Sequence, residues 1–173
     1  MNIVLIGVRG VGKTNIARRV SFITKRPVMS TDVLVEYETG MTIPAFVEHS
    51  GWAAFREAEF EVLRKLSAMD GLIIDAGGGI VVDLDDDGHE IFSDRKVELL
   101  RDHGEIVFLF GDIDRLAMKV SGDPRRPTLD ARASTAELMR RRLPFYQRAA
   151  DWTIDVEGMQ RSEIADDIAA RYA

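Results

Sequence analysis

The sequence begins with a short apolar run that passes directly into a glycine-rich loop and then into a helical pattern. The run at Ile3–Ile6 is typical of a buried parallel strand. The loop at Gly7–Thr14 reads Gly-Val-Arg-Gly-Val-Gly-Lys-Thr and matches G-x-x-x-x-G-K-[ST] in full. The spacing of apolar residues predicts a helix over 13–25. This order restricts the start of the chain to a strand–loop–helix unit that binds phosphate.

The loop carries the groups that hold the phosphates of a nucleoside triphosphate. Its glycines let the backbone curl so that amide N–H groups point at phosphate, and the helix adds its positive N-terminal end. Lys13 would reach the β- and γ-phosphates, and the Thr14 hydroxyl would ligate Mg²⁺. The alternative is a chance glycine-rich turn. The loop alone does not show whether the γ-phosphoryl group goes to water, a nucleotide or a metabolite.

Apolar strands and amphipathic helices alternate along the rest of the chain. Further strands are predicted at 27–29, 72–75, 106–110 and 152–156. Further helices are predicted at 32–39, 43–49, 52–68, 93–102, 112–120, 135–148 and 161–172. The alternation predicts one α/β domain over 1–173, with a parallel sheet between two helical layers. Ligands of such sheets bind at the carboxyl ends of the strands, where the polar and glycine-rich segments fall.

Composition argues against several classes of protein. The chain has 23 basic and 29 acidic residues and a net charge of -6, which disfavours a general nucleic-acid binder. It has no cysteine, so disulfides and thiolate metal sites are excluded. No apolar run approaches the roughly 20 residues of a membrane span, and no signal peptide is evident. We expect a cytoplasmic protein that binds no membrane and, because heptads and an exposed apolar stripe are absent, a monomer.

Several motifs after the P-loop, taken in order, resemble those of the shikimate kinase family. They are Asp32-x-x-x-Glu36, Thr39-Gly40-Met41-Thr42-Ile43, Gly51…Phe55-Arg56…Glu59, Gly77-Gly78-Gly79, Arg126-Pro127 and Arg142…Pro144…Tyr146. The resemblance covers nearly the whole chain. It implies the nucleoside-monophosphate-kinase-like fold, with a five-stranded parallel sheet in the order 2-3-1-4-5. It also implies Mg²⁺-dependent transfer of the γ-phosphoryl group of ATP to the 3-hydroxyl of shikimate.

The resemblance assigns roles on the acceptor side. Arg56 and Arg142 would bind the substrate carboxylate, a task that suits planar guanidinium groups. Asp32 would accept from the substrate hydroxyls and orient or deprotonate the nucleophile. The Gly78 backbone would approach the ring where any side chain would intrude, and Glu59 would hold Arg56 from the same helix face. The simpler interpretations are a surface cation for Arg56 and a helix N-cap for Asp32.

The predicted site has three overlapping groups of residues. The catalytic residues are Lys13, Asp32 and Arg126. The ATP-binding residues are Gly10, Val11, Gly12, Lys13, Thr14, Asn15, Lys119 and Arg126. The acceptor-binding residues are Asp32, Arg56, Gly77, Gly78, Gly79 and Arg142, carried in part by helices within 32–67.

The nucleotide side would be completed by a lid over 121–130, which includes Arg126. In the family this arginine reaches the transferring phosphoryl group, whose developing charge it would stabilise. Lys119 takes the position of a family arginine that lies against adenine, and Arg161 is a further candidate there. Within the run Arg140-Arg141-Arg142, the simplest interpretation is that one arginine faces the pocket and two face solvent.

Two departures from the family bear on metal binding. Ser30 stands where the family usually has the first aspartate of Asp-x-Asp, which supports Mg²⁺ through water. Asp75 ends the third predicted strand as a Walker B aspartate does, so we hypothesise that it takes over this outer-shell work. The alternative is an aspartate that caps the glycine turn. The inserted segment Asp83–Gly88 begins like a calcium loop, but a solvated acidic loop is favoured because flanking helices are not evident.

Two rival functions stay open. A different metabolite kinase on the same fold, such as a gluconate-type kinase, would use similar cations for another polyol acid. A homologue that binds nucleotide with weak activity would act as a regulatory or partner-binding module, and Ser30 is its only support.

Overall fold

The computed structural model describes residues 1–121 and 134–172. The strands within these ranges are β1 (Asn2–Ile6), β2 (Val28–Ser30), β3 (Ile73–Asp75), β4 (Val82–Leu84), β5 (Glu90–Phe92), β6 (Gly104–Phe110) and β7 (Trp152–Asp155). The helices are α1 (Lys13–Thr24), α2 (Thr31–Thr39), α3 (Ile43–Ser67), α4 (Asp94–His103), α5 (Ile113–Val120), α6 (Thr135–Ala149) and α7 (Arg161–Arg171). None of the described helices is both long enough and apolar enough to cross a lipid bilayer.

Five of the strands form a parallel sheet in the order β2-β3-β1-β6-β7. Counted among these five strands alone, this is the predicted order 2-3-1-4-5. Helices cover the sheet in the predicted three-layer arrangement, in which α1 packs against α7 and α3 packs against α4. The apolar run of β1 is central and fully buried, because strands on both sides pair with it and helices lie over it.

The register of the sheet brings the functional segments to one edge. The ends of three neighbouring strands lie side by side, since Asp75 of β3 is opposite Leu5 of β1 on one side and Ser30 of β2 on the other. The P-loop follows β1, α2 follows β2, and the triple glycine follows β3. The carboxyl edge of the sheet therefore gathers the segments that the sequence predicts to be chemically active.

Two stretches can be compared closely with their sequence-based predictions. The helices predicted at 43–49 and 52–68 both lie within α3, and the break between them is confirmed at Gly51, whose φ of 84° and ψ of 169° are not helical. The inserted acidic segment is the turn of an antiparallel hairpin between β4 and β5. The Asp85 carboxylate accepts hydrogen bonds from the Asp87 and His89 amides, at 2.9 and 2.8 Å. A calcium loop between two helices is therefore not what this segment forms.

Candidate active site

The P-loop curls around the N-terminus of α1. Gly10 and Gly12 have φ values of 83° and 108°, which other residues rarely adopt, so the glycines are required by the shape of the loop. Gly12 is the N-cap of α1 and no side chain caps the helix, which leaves its first amide groups for a ligand. The Lys13 ammonium donates to the carbonyls of Gly7 and Val8, at 2.7 and 3.2 Å. Val11 is buried beneath the loop, and Asn15 is exposed on the first turn of α1.

Thr14 and Asp75 are joined by a hydrogen bond. The Thr14 hydroxyl donates to the Asp75 carboxylate at 2.6 Å, and Asp75 is buried. Ser30 lies directly across the sheet from Asp75. Ser30 offers no carboxylate, but Asp75 on the neighbouring strand does, and it contacts the residue expected to ligate Mg²⁺. These oxygen groups are the kind that Mg²⁺ prefers.

Ser30, rather than Asp32, caps α2. The Ser30 hydroxyl accepts from the Val33 amide at 3.4 Å, so the N-cap interpretation of Asp32 is wrong. Asp32 instead lies within the first helical turn, where a carboxylate interacts favourably with the helix dipole. The buried Thr31 hydroxyl accepts from the Gly77 amide at 2.9 Å. This bond, which the sequence did not reveal, ties the start of α2 to the glycine turn.

Each glycine of the turn after β3 faces a different predicted acceptor residue. A methyl group built at Gly77 would collide with the Asp32 carboxylate. One built at Gly79 would lie 2.6 Å from Nη2 of Arg56, which is also a collision. One built at Gly78 would lie 3.8 Å from Nη1 of Arg142 and 4.0 Å from the Arg9 amide nitrogen of the P-loop. The turn therefore gathers the three charged acceptor residues beside the phosphate-binding loop.

Arg56 is a buried cation, not a surface one, so the simpler interpretation of this residue is wrong. It is 3% exposed, and its Nη1 donates to Glu59 at 2.8 Å and to the Gly79 carbonyl at 3.2 Å. The predicted support of Arg56 by Glu59 is confirmed. The buried Nε of Arg56 has no hydrogen-bond partner among residues 1–121 and 134–172. A buried donor without a partner costs free energy.

A second cation lies beneath this pair. The fully buried Lys96 ammonium donates to Glu59 at 3.0 Å and to the Val82 carbonyl at 2.5 Å. Burial lowers the pKa of Lys96, and the neighbouring Glu59 carboxylate opposes that shift. Because Glu59 is shared between two cations, it neutralises the charge of Arg56 only in part. Nothing in the sequence distinguishes Lys96 from an ordinary surface lysine of a polar helix.

Arg142 is held by a carboxylate from the inserted hairpin. Its Nε and Nη2 donate to Glu90 of β5 over distances of 2.7–3.0 Å, and the Glu90 side chain is fully buried. Burial by itself would lower the pKa of Arg142, but the Glu90 carboxylate raises it above its ordinary value. Arg142 is 13% exposed, whereas Arg140 is 52% exposed and Arg141 is exposed, as the sequence predicts for this run.

Tyr146, one turn along α6 from Arg142, connects that helix to the glycine turn. Its hydroxyl donates to the Gly78 carbonyl. Burial raises the pKa of Tyr146, so the hydroxyl remains protonated and able to donate at neutral pH. The ring stacks on Phe108 of β6 with 5.3 Å between the ring centroids. These contacts fix the position of α6 against the sheet, and with it the position of Arg142.

A cavity of 240 Å³ adjoins the other side of the P-loop. Its lining includes Gly10, Arg115, Lys119, Glu157, Met159 and Arg161. Lys119 lies beside the P-loop, and its ammonium donates to the Gly10 carbonyl at 2.9 Å. Arg126, with 122–130 of the predicted lid, lies outside the described residues.

Comparison with known proteins decides the family. The family model described as shikimate kinase matches residues 9–173. A shikimate kinase of Leptospira biflexa serovar Patoc is 46% identical over 169 residues, which are 97% of this chain and 93% of that relative. The chain belongs to the shikimate kinase family.

Solved structures agree with this membership. A shikimate kinase from Acinetobacter baumannii, determined in complex with shikimate, has a TM-score of 0.85 and 27% identity. The comparison covers 99% of this chain and 92% of that one. A gluconokinase from Sinorhizobium meliloti has a TM-score of 0.56 and 15% identity over 98% of this chain and 89% of that one. The second likeness shows a shared fold alone.

The glycine turn yields a pair of substitutions with different expected effects on stability. We expect Gly79→Ala to lower the free energy of unfolding by about 1–3 kcal/mol, because its methyl group collides with the buried Arg56–Glu59 pair. Gly78→Ala is the matched control, since its methyl group meets only ordinary contacts of 3.8 Å or more. Urea unfolding measures both variants. Equal losses in the two variants would contradict the described packing of the turn.

Proposed function

We propose that the chain transfers the γ-phosphoryl group of ATP to the 3-hydroxyl of shikimate, giving shikimate 3-phosphate and ADP. This reaction would serve the synthesis of aromatic amino-acid precursors. The observation that carries the proposal is the glycine turn, which faces Asp32, Arg142 and Arg56 while it lies next to the P-loop. An acceptor seated on this turn would have fixed cations on one side and the phosphate-binding loop on the other.

The charges around the turn suit a small hydroxylated carboxylate. Arg56 and Arg142 are both largely buried and both fixed by carboxylates, so their guanidinium groups are oriented before the ligand arrives. The Arg56 guanidinium group would donate to a carboxylate oxygen. The Asp32 carboxylate, beside Gly77, supplies an acceptor for a hydroxyl group.

The transfer needs little covalent chemistry from the protein. The bond between the γ-phosphorus and the β,γ-bridging oxygen breaks, and a bond forms from that phosphorus to the substrate oxygen. Asp32 would orient the attacking hydroxyl and receive its proton. Lys13 would leave the loop carbonyls that it now contacts and bind the phosphate oxygens, which stabilises the charge that spreads over them. Arg126 would supply a second cation from the lid.

The Thr14 hydroxyl and the Asp75 carboxylate fit a role in holding Mg²⁺. The hydroxyl is the group that ligates the ion in P-loop enzymes, and the carboxylate that accepts its hydrogen bond would act from the outer shell. A bound Mg²⁺ ion would neutralise phosphate charge. We propose that Asp75 takes the part that a carboxylate at Ser30 would otherwise play, because the two residues are neighbours across β2 and β3.

The remaining assignments on the nucleotide side are also proposals. The cavity beside Lys119 and Arg161 would receive the adenine base, since it borders the P-loop at Gly10.

We further propose that the enzyme is a cytoplasmic, single-domain monomer whose ligands are ATP and shikimate, with no nucleic-acid or membrane partner. Its net charge of -6 supports the absence of a nucleic-acid partner.

An assay of ADP release separates this function from its rivals. With ATP and Mg²⁺, we expect shikimate to be used at least about 100-fold more efficiently in kcat/KM than gluconate. Both acids carry a carboxylate, but a rigid glycine turn with oriented cations would fit a compact ring better than a flexible open chain. Preference for gluconate would favour the gluconate-type kinase. If the chain binds ATP but releases no ADP in the presence of any polyol acid, the result would favour a nucleotide-binding module.

The role of Asp75 can be tested by the Mg²⁺ dependence of turnover. Asp75→Asn keeps an acceptor for the Thr14 hydroxyl but removes the charge, so the Mg²⁺ concentration for half-maximal rate should rise about 10-fold or more. Adding Ser30→Asp should restore much of the affinity, because that residue lies directly across the strands. An unchanged Mg²⁺ dependence in Asp75→Asn would show that Asp75 only caps the turn.

A further inference from the structure

Glu90 is a buried acid supplied by the inserted hairpin. It lies on β5 opposite Leu84 of β4, and its side chain is fully buried although the hairpin turn is exposed. The base of the hairpin is fixed, because the Ser93 amide donates to the Val81 carbonyl at 2.9 Å. The Asp83 carboxylate accepts from Ser93 and Arg95 at 2.6 and 2.9 Å. These bonds hold the backbone on both sides of Glu90 in place.

Glu90 contacts only one edge of the Arg142 guanidinium group. Nε and Nη2 donate to the Glu90 carboxylate, so that edge is occupied by the protein. Nη1 lies on the side of the glycine turn, 3.8 Å from the position that a methyl group on Gly78 would take. Two or more charge-assisted hydrogen bonds in one plane fix the plane as well as the position of a guanidinium group.

We propose that Glu90 is a positioning residue for the acceptor carboxylate and acts through Arg142. The proposal rests on the proposed function. Glu90 directs Nη1 of Arg142 toward the substrate and prevents the guanidinium group from turning into the protein. It does for Arg142 what Glu59 does for Arg56. In this way the inserted hairpin sets the preference of the enzyme for an acid over a neutral analogue.

A competing interpretation predicts the opposite effect of removing the Glu90 charge. Glu90 could occupy Arg142 in place of the substrate carboxylate, which would then have to displace it. The full burial of Glu90 and the fixed base of the hairpin argue against such displacement. If the substrate carboxylate had to displace Glu90, loss of the Glu90 charge would strengthen shikimate binding. Loss of a positioning residue would instead weaken it.

The test compares shikimate with its uncharged methyl ester as phosphoryl acceptors. The ratio of kcat/KM for the acid to that for the ester measures recognition of the carboxylate. We expect Glu90→Gln to lower this ratio about 10- to 100-fold, as loss of one charged hydrogen bond would, mainly through the KM for shikimate. Asp86→Asn, the same chemical change at the exposed hairpin turn, should leave the ratio unchanged.

Two further variants keep the test decisive. Glu90→Asp retains the charge of the buried pair but shortens the side chain, so it should give an intermediate ratio even if Glu90→Gln does not fold. In a chain that carries Arg142→Met, adding Glu90→Gln should change the ratio little, because Glu90 acts through Arg142. A merely structural role would lower kcat/KM for acid and ester alike.

The outcomes separate this proposal from the proposed function. If the unmodified enzyme phosphorylates shikimate and neither Glu90 variant changes the ratio, the positioning role is wrong. A lower KM for shikimate in Glu90→Gln would also overturn it, in favour of displacement. If the unmodified enzyme does not phosphorylate shikimate, it is the proposed function that fails.

Discussion

The arrangement of the residues predicted to bind the acceptor depends on the space that the glycine turn after β3 leaves. Three consecutive residues without side chains leave space at the carboxyl edge of the sheet. Asp32 from α2, Arg56 from α3 and Arg142 from α6 each approach that space from a different direction. Because methyl groups at two of the three positions would collide with these side chains, the turn and its neighbours are mutually dependent.

Buried cations need nearby carboxylates to neutralise them. Removal of one partner from a buried ion pair costs about 3–5 kcal/mol, so a buried arginine needs a carboxylate of its own. Glu59 and Glu90 take this role for Arg56 and Arg142. Lys96, beneath Glu59, keeps that carboxylate from cancelling Arg56 in full. In the proposed acceptor site, both arginines are thus oriented by carboxylates.

Local patterns explain what could be predicted from the sequence. The alternation of strands and helices, the P-loop and the Arg56–Glu59 contact follow from apolar periodicity, a complete motif and a three-residue spacing on one helix. The strand order is implied by the resemblance to the family. Glu90 and Lys96 could not be found in this way, because their partners are distant in the chain. The run of aspartates before Glu90 indicated a solvated loop, yet three-residue strands form a hairpin there and bury the glutamate. The role of Arg126 remains a prediction.

A crystal structure of this chain with shikimate would show directly where the substrate binds. We expect the shikimate carboxylate to lie within hydrogen-bond distance of both Arg56 and Arg142, the ring to rest against the Gly78 backbone, and the 3-hydroxyl to lie next to Asp32. The Glu90–Arg142 hydrogen bonds should persist in the complex. A carboxylate bound away from the two arginines, or a ring that does not contact the glycine turn, would contradict the account.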